Sequence, residues 1–357
     1  MIGRIKKKIY KKLYKSIIDA PEVNNLNKKF NFINNAPNYY FRNFGNKNKN
    51  KLFYVIKIYE KNKEGGGLFA NLLFVLNHLK IIEKLKAIPV IDMENFYNRY
   101  NETKPVKGIK NSWLYYFEKI SKYDLKEVYN SNKVLITSGF FSKNMKKNFH
   151  SDKNLIRLFK KFIKIKKYFQ KSADNFEKNY FKNKKILGVH FRGTDRIVIP
   201  NHPLPPTVGQ MFYLVDQAII KYKFDKIFLV TDSSKYLELF KKKYGTKLCF
   251  RKNSFRSNSP RIFHLKVRKN HRYEIGRDNM EEMLILSKLK YLICSTSNLS
   301  QTAALISNKK YKLMEIDNGI NSKNLFLSQV NFYIRSFLPE FFGGFKKNMI
   351  LKFKNFK

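Results

Sequence analysis

Acidic residues are scarce in this chain: 26 Asp and Glu stand against 73 Lys and Arg, a formal net charge of +47 over 357 residues. Cysteine is scarcer still. Cys249 and Cys294 are too few for a disulfide framework or a zinc site, and both lie in strand-like apolar runs, as inert core thiols do. No run reaches the roughly 18 apolar residues that a membrane span needs. The opening "MIGRIKKKIYKKLYKSII" has no continuous apolar core of the kind a secretory signal carries. The chain is therefore expected to be cytoplasmic. Arg-rich blocks, an aromatic RNA-binding motif and Cys/His finger spacing are all missing, so no specific nucleic-acid partner is expected. The positive charge reads as a drift of bulk composition toward Lys and Asn. A general attraction to phosphates or an anionic membrane surface survives that reading.

Ile5, Ile9, Leu13 and Ile17 recur at four-residue spacing among lysines. That pattern suits a helix lying peripherally in a membrane surface, and equally a basic helix docked on its own protein. The remaining composition is that of a folded protein: 43% hydrophobic and 16% aromatic residues can bury real cores. The length favours two domains over one.

Residues 1–50 read as a basic helix followed by an Asn-, Lys- and Pro-rich linker. From 51 the order is strand ("KLFYVIKIYE"), glycine loop, helix from about Leu68, then strand ("IPVIDM"). "NSWLYYFEKI" is expected to be a helix, "KVLITSGF" a strand, and residues 153–183 a long helix or helix pair. The second half alternates more cleanly. Its strands are "KILGVHF", "KIFLVTD", "KLCFRK", "YLICST" and "KLMEID". Helices are expected from about Pro206 to Tyr222, Ser234 to Tyr244, Asn279 to Leu289 and Asn298 to Ile306, with Thr207 and Gln210 as a capping box. Strands alternating with helices imply βαβ units around parallel sheets. The expected architecture is two Rossmann-type α/β domains facing a central crevice: 51–180 and 181–340, with a basic tail at 341–357.

The stretch "KKILGVHFRGTDRIVIPNHP" carries the first candidate site. An apolar strand ends in His190, Arg192 and Asp195, where open α/β sheets bind ligands. "GVHFRGT" has Walker A spacing but lacks the lysine, so the phosphate point charge is missing. "GGGLFA", from Gly65 to Ala70, fits a dinucleotide fingerprint, although four polar residues separate the strand from the first glycine and Asp92 comes late. Glycines before a helix still offer backbone N–H groups to an anion. "FLVTDSS" ends a strand in Thr231 and Asp232, an arrangement that an ordinary helix cap also explains. Ser295 lies at the end of the strand "YLICST", and Ser297 and Asn298 follow it, where hydroxyls can cap a helix or meet a phosphate or ribose.

Taken together and in order, the H-x-R-x-x-D of His190, Arg192 and Asp195, "FLVTD", "LSKLKYLICSTSNLS" and "GGGLFANLLFVLNHL" resemble the fucosyltransferase superfamily. That superfamily includes the α1,6- and α1,2-fucosyltransferases and the protein O-fucosyltransferases. The resemblance covers about residues 50 to 310. It implies a GT-B-like architecture and a metal-independent, inverting transfer of fucose from GDP-fucose to a glycan or glycolipid acceptor, in surface polysaccharide or lipooligosaccharide synthesis. It implies no cofactor beyond the donor. By position Arg192 would hold the donor β-phosphate, His190 and Glu282 would lie near the guanine, and Gly65, Gly66 and Gly67 near the diphosphate. Ser297 and Asn298 would contact ribose or phosphate, and Asn71 and Asp232 complete the expected donor side. Two positions depart from the pattern. Gly193 stands where the α1,2 and α1,6 groups have a second arginine, and Glu282 where the α1,6 group has Asp.

The chemistry agrees with the resemblance. A nucleoside diphosphate leaving group needs fixed positive charge, from a metal or from Arg and helix N-termini. Asp-x-Asp occurs nowhere, whereas Arg192 and two helix starts are available. The acceptor hydroxyl needs a base or a relay, for which Asp195, His202 and Asp232 are the candidates. Two other classes fit less of the chain: an NAD-dependent oxidoreductase using the glycine loop, and a basic nucleic-acid-binding protein.

Overall fold

The computed structural model describes residues 39–58, 66–137, 149–259, 262–265, 267–307 and 310–356. The expected N-terminal basic helix and Gly65 lie outside the described residues. The chain forms two compact units. The described residues from 39 to Gly66, with Asn71–Asn98 and 119–137, make the first; Gly67–Ala70, Arg99–Glu118 and the described residues from 149 onward make the second.

The first unit is built on a four-stranded sheet of order β1-β4-β2-β3, from β1 (Tyr39–Arg42), β2 (Lys47–Ile56), β3 (Ile88–Ile91) and β4 (Ser131–Thr137). β2 runs parallel to both neighbours, and β1 pairs antiparallel with β4. Phe53 to Ile56 are fully buried, which is why that strand reads as a continuous apolar run. α1 (Leu68–Leu85) joins β2 to β3, and α2 (Leu125–Val128) precedes β4. β1 and the start of β2 lie inside the stretch read from sequence as linker.

The second unit has a six-stranded sheet of order β10-β9-β8-β5-β6-β7. Its strands are β5 (Ile186–His190), β6 (Lys226–Val230), β7 (Leu248–Cys249), β8 (Tyr291–Ser295), β9 (Tyr311–Ile316) and β10 (Lys354–Phe356). All pairings are parallel except β10 on β9. The helices are α3 (Lys153–Phe162), α4 (Lys167–Tyr180), α5 (Val208–Tyr222), α6 (Ser234–Tyr244), α7 (His271–Ser287), α8 (Asn298–Ile306) and α9 (Leu325–Phe337). Leu187, Val189, Ile227, Leu229 and Ile293 pack against Met211, Leu214 and Phe240 in one core. Thr207 and Gln210 form the expected capping box at α5. The basic tail contributes β10, and Met349, Leu351 and Phe353 pack against the core.

Two helices differ from their sequence-based expectation, for one reason. "NSWLYYFEKI" makes only a 3₁₀ turn at Ser112–Tyr115. Its aromatics are buried separately: Trp113 stacks on Phe117 at 4.2 Å and Tyr116 on Tyr273 at 5.9 Å, while Glu118 N donates to Lys164 O. α7 starts at His271 rather than Asn279: Arg272, Glu274 and Arg277 of its first turns are half-buried and Asp278 is buried, so no plain polar stripe marks them in the sequence. In both places tertiary packing overrides the local pattern.

Candidate active site

β5 lies at the middle of the second sheet, with β6 on one side and β8 on the other. The chain passes from β5 out to β6 and β7, then returns to β8 and β9 on the opposite side. Between the carboxyl ends of β5 and β8 the winding reverses, and there a doubly wound sheet opens to ligands. His190 is the last residue of β5, and Ser295 is the last of β8. His190 is 4% exposed, and its Nδ1 lies 2.6 Å from Ser300 Oγ in the first turn of α8. The Ser300 hydroxyl also bonds the Cys294 thiol. Burial first, then the Arg192 and Arg196 guanidiniums, push the His190 pKa down to about 3, so the ring is neutral.

Arg192 stands just past β5 and is held from two sides. Its Nε and Nη2 donate to Asp195 Oδ1 and Oδ2 at 3.2 and 2.8 Å, a bidentate pair, and Nε is 3.6 Å from Asp232 Oδ2. Burial opposes its charge, but Asp195 and Asp232 more than offset that, and its pKa is raised. Burial raises both carboxyls as well. The bidentate contact, with Arg196 nearby, nevertheless brings Asp195 below its ordinary value, while Asp232 stays above it. Asp232 is no helix cap: it accepts from Gly193 N at 3.3 Å and Thr194 Oγ1 at 2.8 Å. The cap of α6 is Ser233, which accepts from Tyr236 N. Asp232 thus ties the loop after β5 to the end of β6.

Gly193 also has a reason. A Cβ there would overlap the Tyr236 ring, which stacks on Phe191 at 4.0 Å and 9°. An arginine cannot occupy the position unless Tyr236 moves. Arg196, three residues on, lies close enough to Arg192 that, after burial, this like charge helps lower its pKa to about 10. His202 is exposed and has no side-chain partner among the described residues; partial burial and then Arg196 lower its pKa to about 4.

Tyr100, which no sequence motif marks, is a buried hub. Its hydroxyl accepts from Leu68 N at 2.8 Å, at the start of α1, and bonds Asn279 of α7. Its pKa is raised, by burial above all, against the pull of Arg99 and Arg192. Arg99 lies over the Phe263 ring at 5.2 Å, and its buried Nε has no partner among the described residues. Leu68 N, the first helical N–H after the glycines, is thus taken by Tyr100. Gly66 and Gly67 precede it. Asn71, one turn into α1 and within the first unit, is buried with Oδ1 unpartnered among the described residues. Ser297 caps α8 by accepting from Leu299 N, and Asn298 is the first residue of that helix.

Glu282, expected near the base, lies in a buried arginine cluster. It lies three turns into α7, and its carboxylate faces Arg256 Nη2 at 3.5 Å, with Ser254 as a further partner. Around it Arg251 pairs with Glu281, and Arg268 holds Asp278 at 2.7 Å. Burial pushes the Glu282 pKa up to about 7, against Arg256 and Arg251. Among the described residues no group of three or more His, Cys, Asp or Glu side chains is placed to hold a metal ion.

Two mainly parallel sheets, each with its own helices, make this a GT-B-like α/β fold. No protein-family model and no curated protein matches the sequence. Among solved structures, fucosyltransferase NodZ from Bradyrhizobium shares the fold at a TM-score of 0.50 and 14% identity, over 77% of this chain and 100% of that one. NodZ α1,6-fucosyltransferase co-crystallized with GDP gives 0.48 at 15% identity, over 76% and 96%. Arabidopsis thaliana FUT1 in complex with GDP gives 0.43 at 10% identity, over 86% and 77%.

Proposed function

We propose that this chain is an inverting glycosyltransferase that transfers a sugar from a nucleoside diphosphate, GDP-fucose by the resemblance of its motifs, to a glycan or glycolipid acceptor. The observation that carries the reading is Arg192. Its guanidinium is fixed beyond the central strand by carboxylates that engage Nε and Nη2 and not Nη1. As the bond from the anomeric carbon to the phosphate oxygen breaks, negative charge grows on the diphosphate, and a fixed cation there stabilises the transition state more than the bound donor. Arg196 and the N-terminus of α8 add to the same field. Asp195 and Asp232 act as positioning residues.

The acceptor oxygen attacks from the opposite face and loses its proton. Of the three base candidates, His202 is the one whose side chain makes no hydrogen bond or ion pair among the described residues. Neutral His190, steadied by Ser300 at Nδ1, offers Nε2 to the base. No metal or cofactor is needed in this scheme, and the cytoplasmic side of a membrane is the proposed setting for an acceptor that builds surface polysaccharide or lipooligosaccharide.

Thermal unfolding with GDP, UDP, ADP and NAD tests the proposal. Ligand at 100 times its Kd adds about 2.7 kcal/mol. GDP should give the largest shift, and GDP-fucose should be slowly hydrolysed without acceptor. Equal shifts for the three diphosphates would remove the guanine reading, and a shift with NAD alone would remove the glycosyltransferase.

A further inference from the structure

α9 carries its apolar face outward. Phe326, Val330, Tyr333 and Phe337 follow one another at spacings of four, three and four, the repeat of a single helical stripe. Leu327 and Ile334 widen the stripe. In a helix docked on a core this stripe would be buried. Here Phe326 is 77% and Phe337 84% exposed, and only Ser328 and Phe332, on the other side, are buried.

The chain then adds to the patch. After Pro339 a 3₁₀ turn, Glu340–Phe342, presents Phe341 and Phe342 at 81% and 67% exposure. That turn is fastened to the end of α9, because Arg335 Nε donates to Gly343 O at 2.9 Å and Phe345 N to Arg335 O at 3.0 Å. Exposed lysines adjoin it in the chain at 323, 346 and 347. Single exposed apolar residues need no explanation, but a contiguous aromatic stripe with a basic rim does.

We propose that this face, α9 with the Phe341–Phe342 turn, docks on an anionic phospholipid surface. Charge decides between that occupant and a copy of the same chain. Two molecules each carrying a formal +47 repel, whereas an anionic leaflet attracts every lysine on the rim. The basic segment before residue 39 is likewise a poor cover for a basic-rimmed face. Aromatic side chains above lysines are the composition that lies in a bilayer interface. Among the described residues no helix is long and apolar enough to cross a membrane, so this is a surface contact.

The inner side of α9 links the face to the site. Ser328 Oγ donates to Val198 O at 3.1 Å, and Phe332 packs with Leu204 and Ile197. The helix that would rest on lipid thereby buttresses the loop that carries Arg192, Asp195 and His202. The inference does not depend on which nucleotide that loop takes.

The test is flotation of the full chain with vesicles of phosphatidylcholine, with and without phosphatidylglycerol. Binding is expected only with the anionic lipid, weakening as salt rises. The triple variant Phe337→Ser, Phe341→Ser, Phe342→Ser should weaken it on the order of a hundredfold while leaving GDP-induced stabilisation unchanged. Phe337→Trp, which keeps the surface apolar, should shift its emission to the blue on anionic vesicles and be quenched by brominated lipid. The proposal is overturned if the triple variant floats like the wild type, if the indole of Phe337→Trp stays unquenched, or if the wild type ignores anionic vesicles. A wild-type dimer that the triple variant dissolves would also overturn it, and would make the face a contact between copies.

Discussion

His190 Nδ1 and Ser300 Oγ, 110 residues apart in sequence, meet at 2.6 Å where the second sheet reverses its winding. One comes from the end of β5 and the other from the first turn of α8. Their contact fixes the rotation of the ring and ties the two elements that border the proposed donor site.

Ser300→Ala should therefore act on both stability and binding. Ser300 is fully buried, and an unpaired buried ring nitrogen costs about 1–3 kcal/mol. Urea unfolding should show that loss. If His190 reads the base, as proposed, and not the breaking bond, the KM for GDP-fucose should rise more than kcat falls. A larger effect on kcat would move His190 into the chemistry.

Arg192→Lys keeps the charge and loses the fork that spans both Asp195 oxygens. Removing one such transition-state donor costs roughly 10²–10³ in rate, about 2.7–4 kcal/mol. Steady-state rates should show that loss, and turnover should persist in excess EDTA. A lysine variant with half the wild-type kcat, or complete loss on chelation restored by Mn²⁺, would transfer Arg192's role to a metal.

Strands β5, β6 and β8 were legible because each is buried and reads as an apolar run, and α6 and α8 because a serine caps each. The H-x-R-x-x-D residues were legible because a strand end and its loop are contiguous. Tyr100, Arg99 and Ser300 were not, since what makes them matter is a partner far away in sequence. Tyr100 bonds residues 68 and 279 from within an unremarkable polar stretch. Glu282 was legible only as a carboxylate on a largely apolar segment, and only the fold reveals Arg256 beside it.

His202 supplies a test of the arginine field. Partial burial, then Arg196, lowers its pKa to about 4. A bound diphosphate would neutralise much of that positive charge, so the His202 pKa should rise toward its ordinary value of about 6.5 when GDP binds. NMR titration of the imidazole with and without GDP measures it directly. An unchanged pKa would place the diphosphate away from Arg196 and His202.

Glu282 makes the stability of the protein depend on pH in an unusual direction. Its pKa is raised from 4.5 to about 7, so between those values the folded chain keeps a proton that the unfolded chain releases. Stability from this group is therefore present at low pH and is lost as pH rises through the window. His190 works the other way: its ring refuses a proton down to about pH 3, so acid favours the unfolded chain. Comparing wild type with Glu282→Gln separates the two, because His190 contributes equally to both proteins. Any constant cost of leaving Arg256 without a carboxylate also drops out of the trend. The difference in unfolding free energy, wild type minus variant, should fall by about 3 kcal/mol between pH 4.5 and 7, since holding one proton is worth about 1.36 kcal/mol for each pH unit crossed. Urea unfolding at several pH values would show it. A difference that stays flat would mean that Arg256 holds Glu282 ionised throughout, and that the carboxylate is a fixed counter-ion of the arginine cluster.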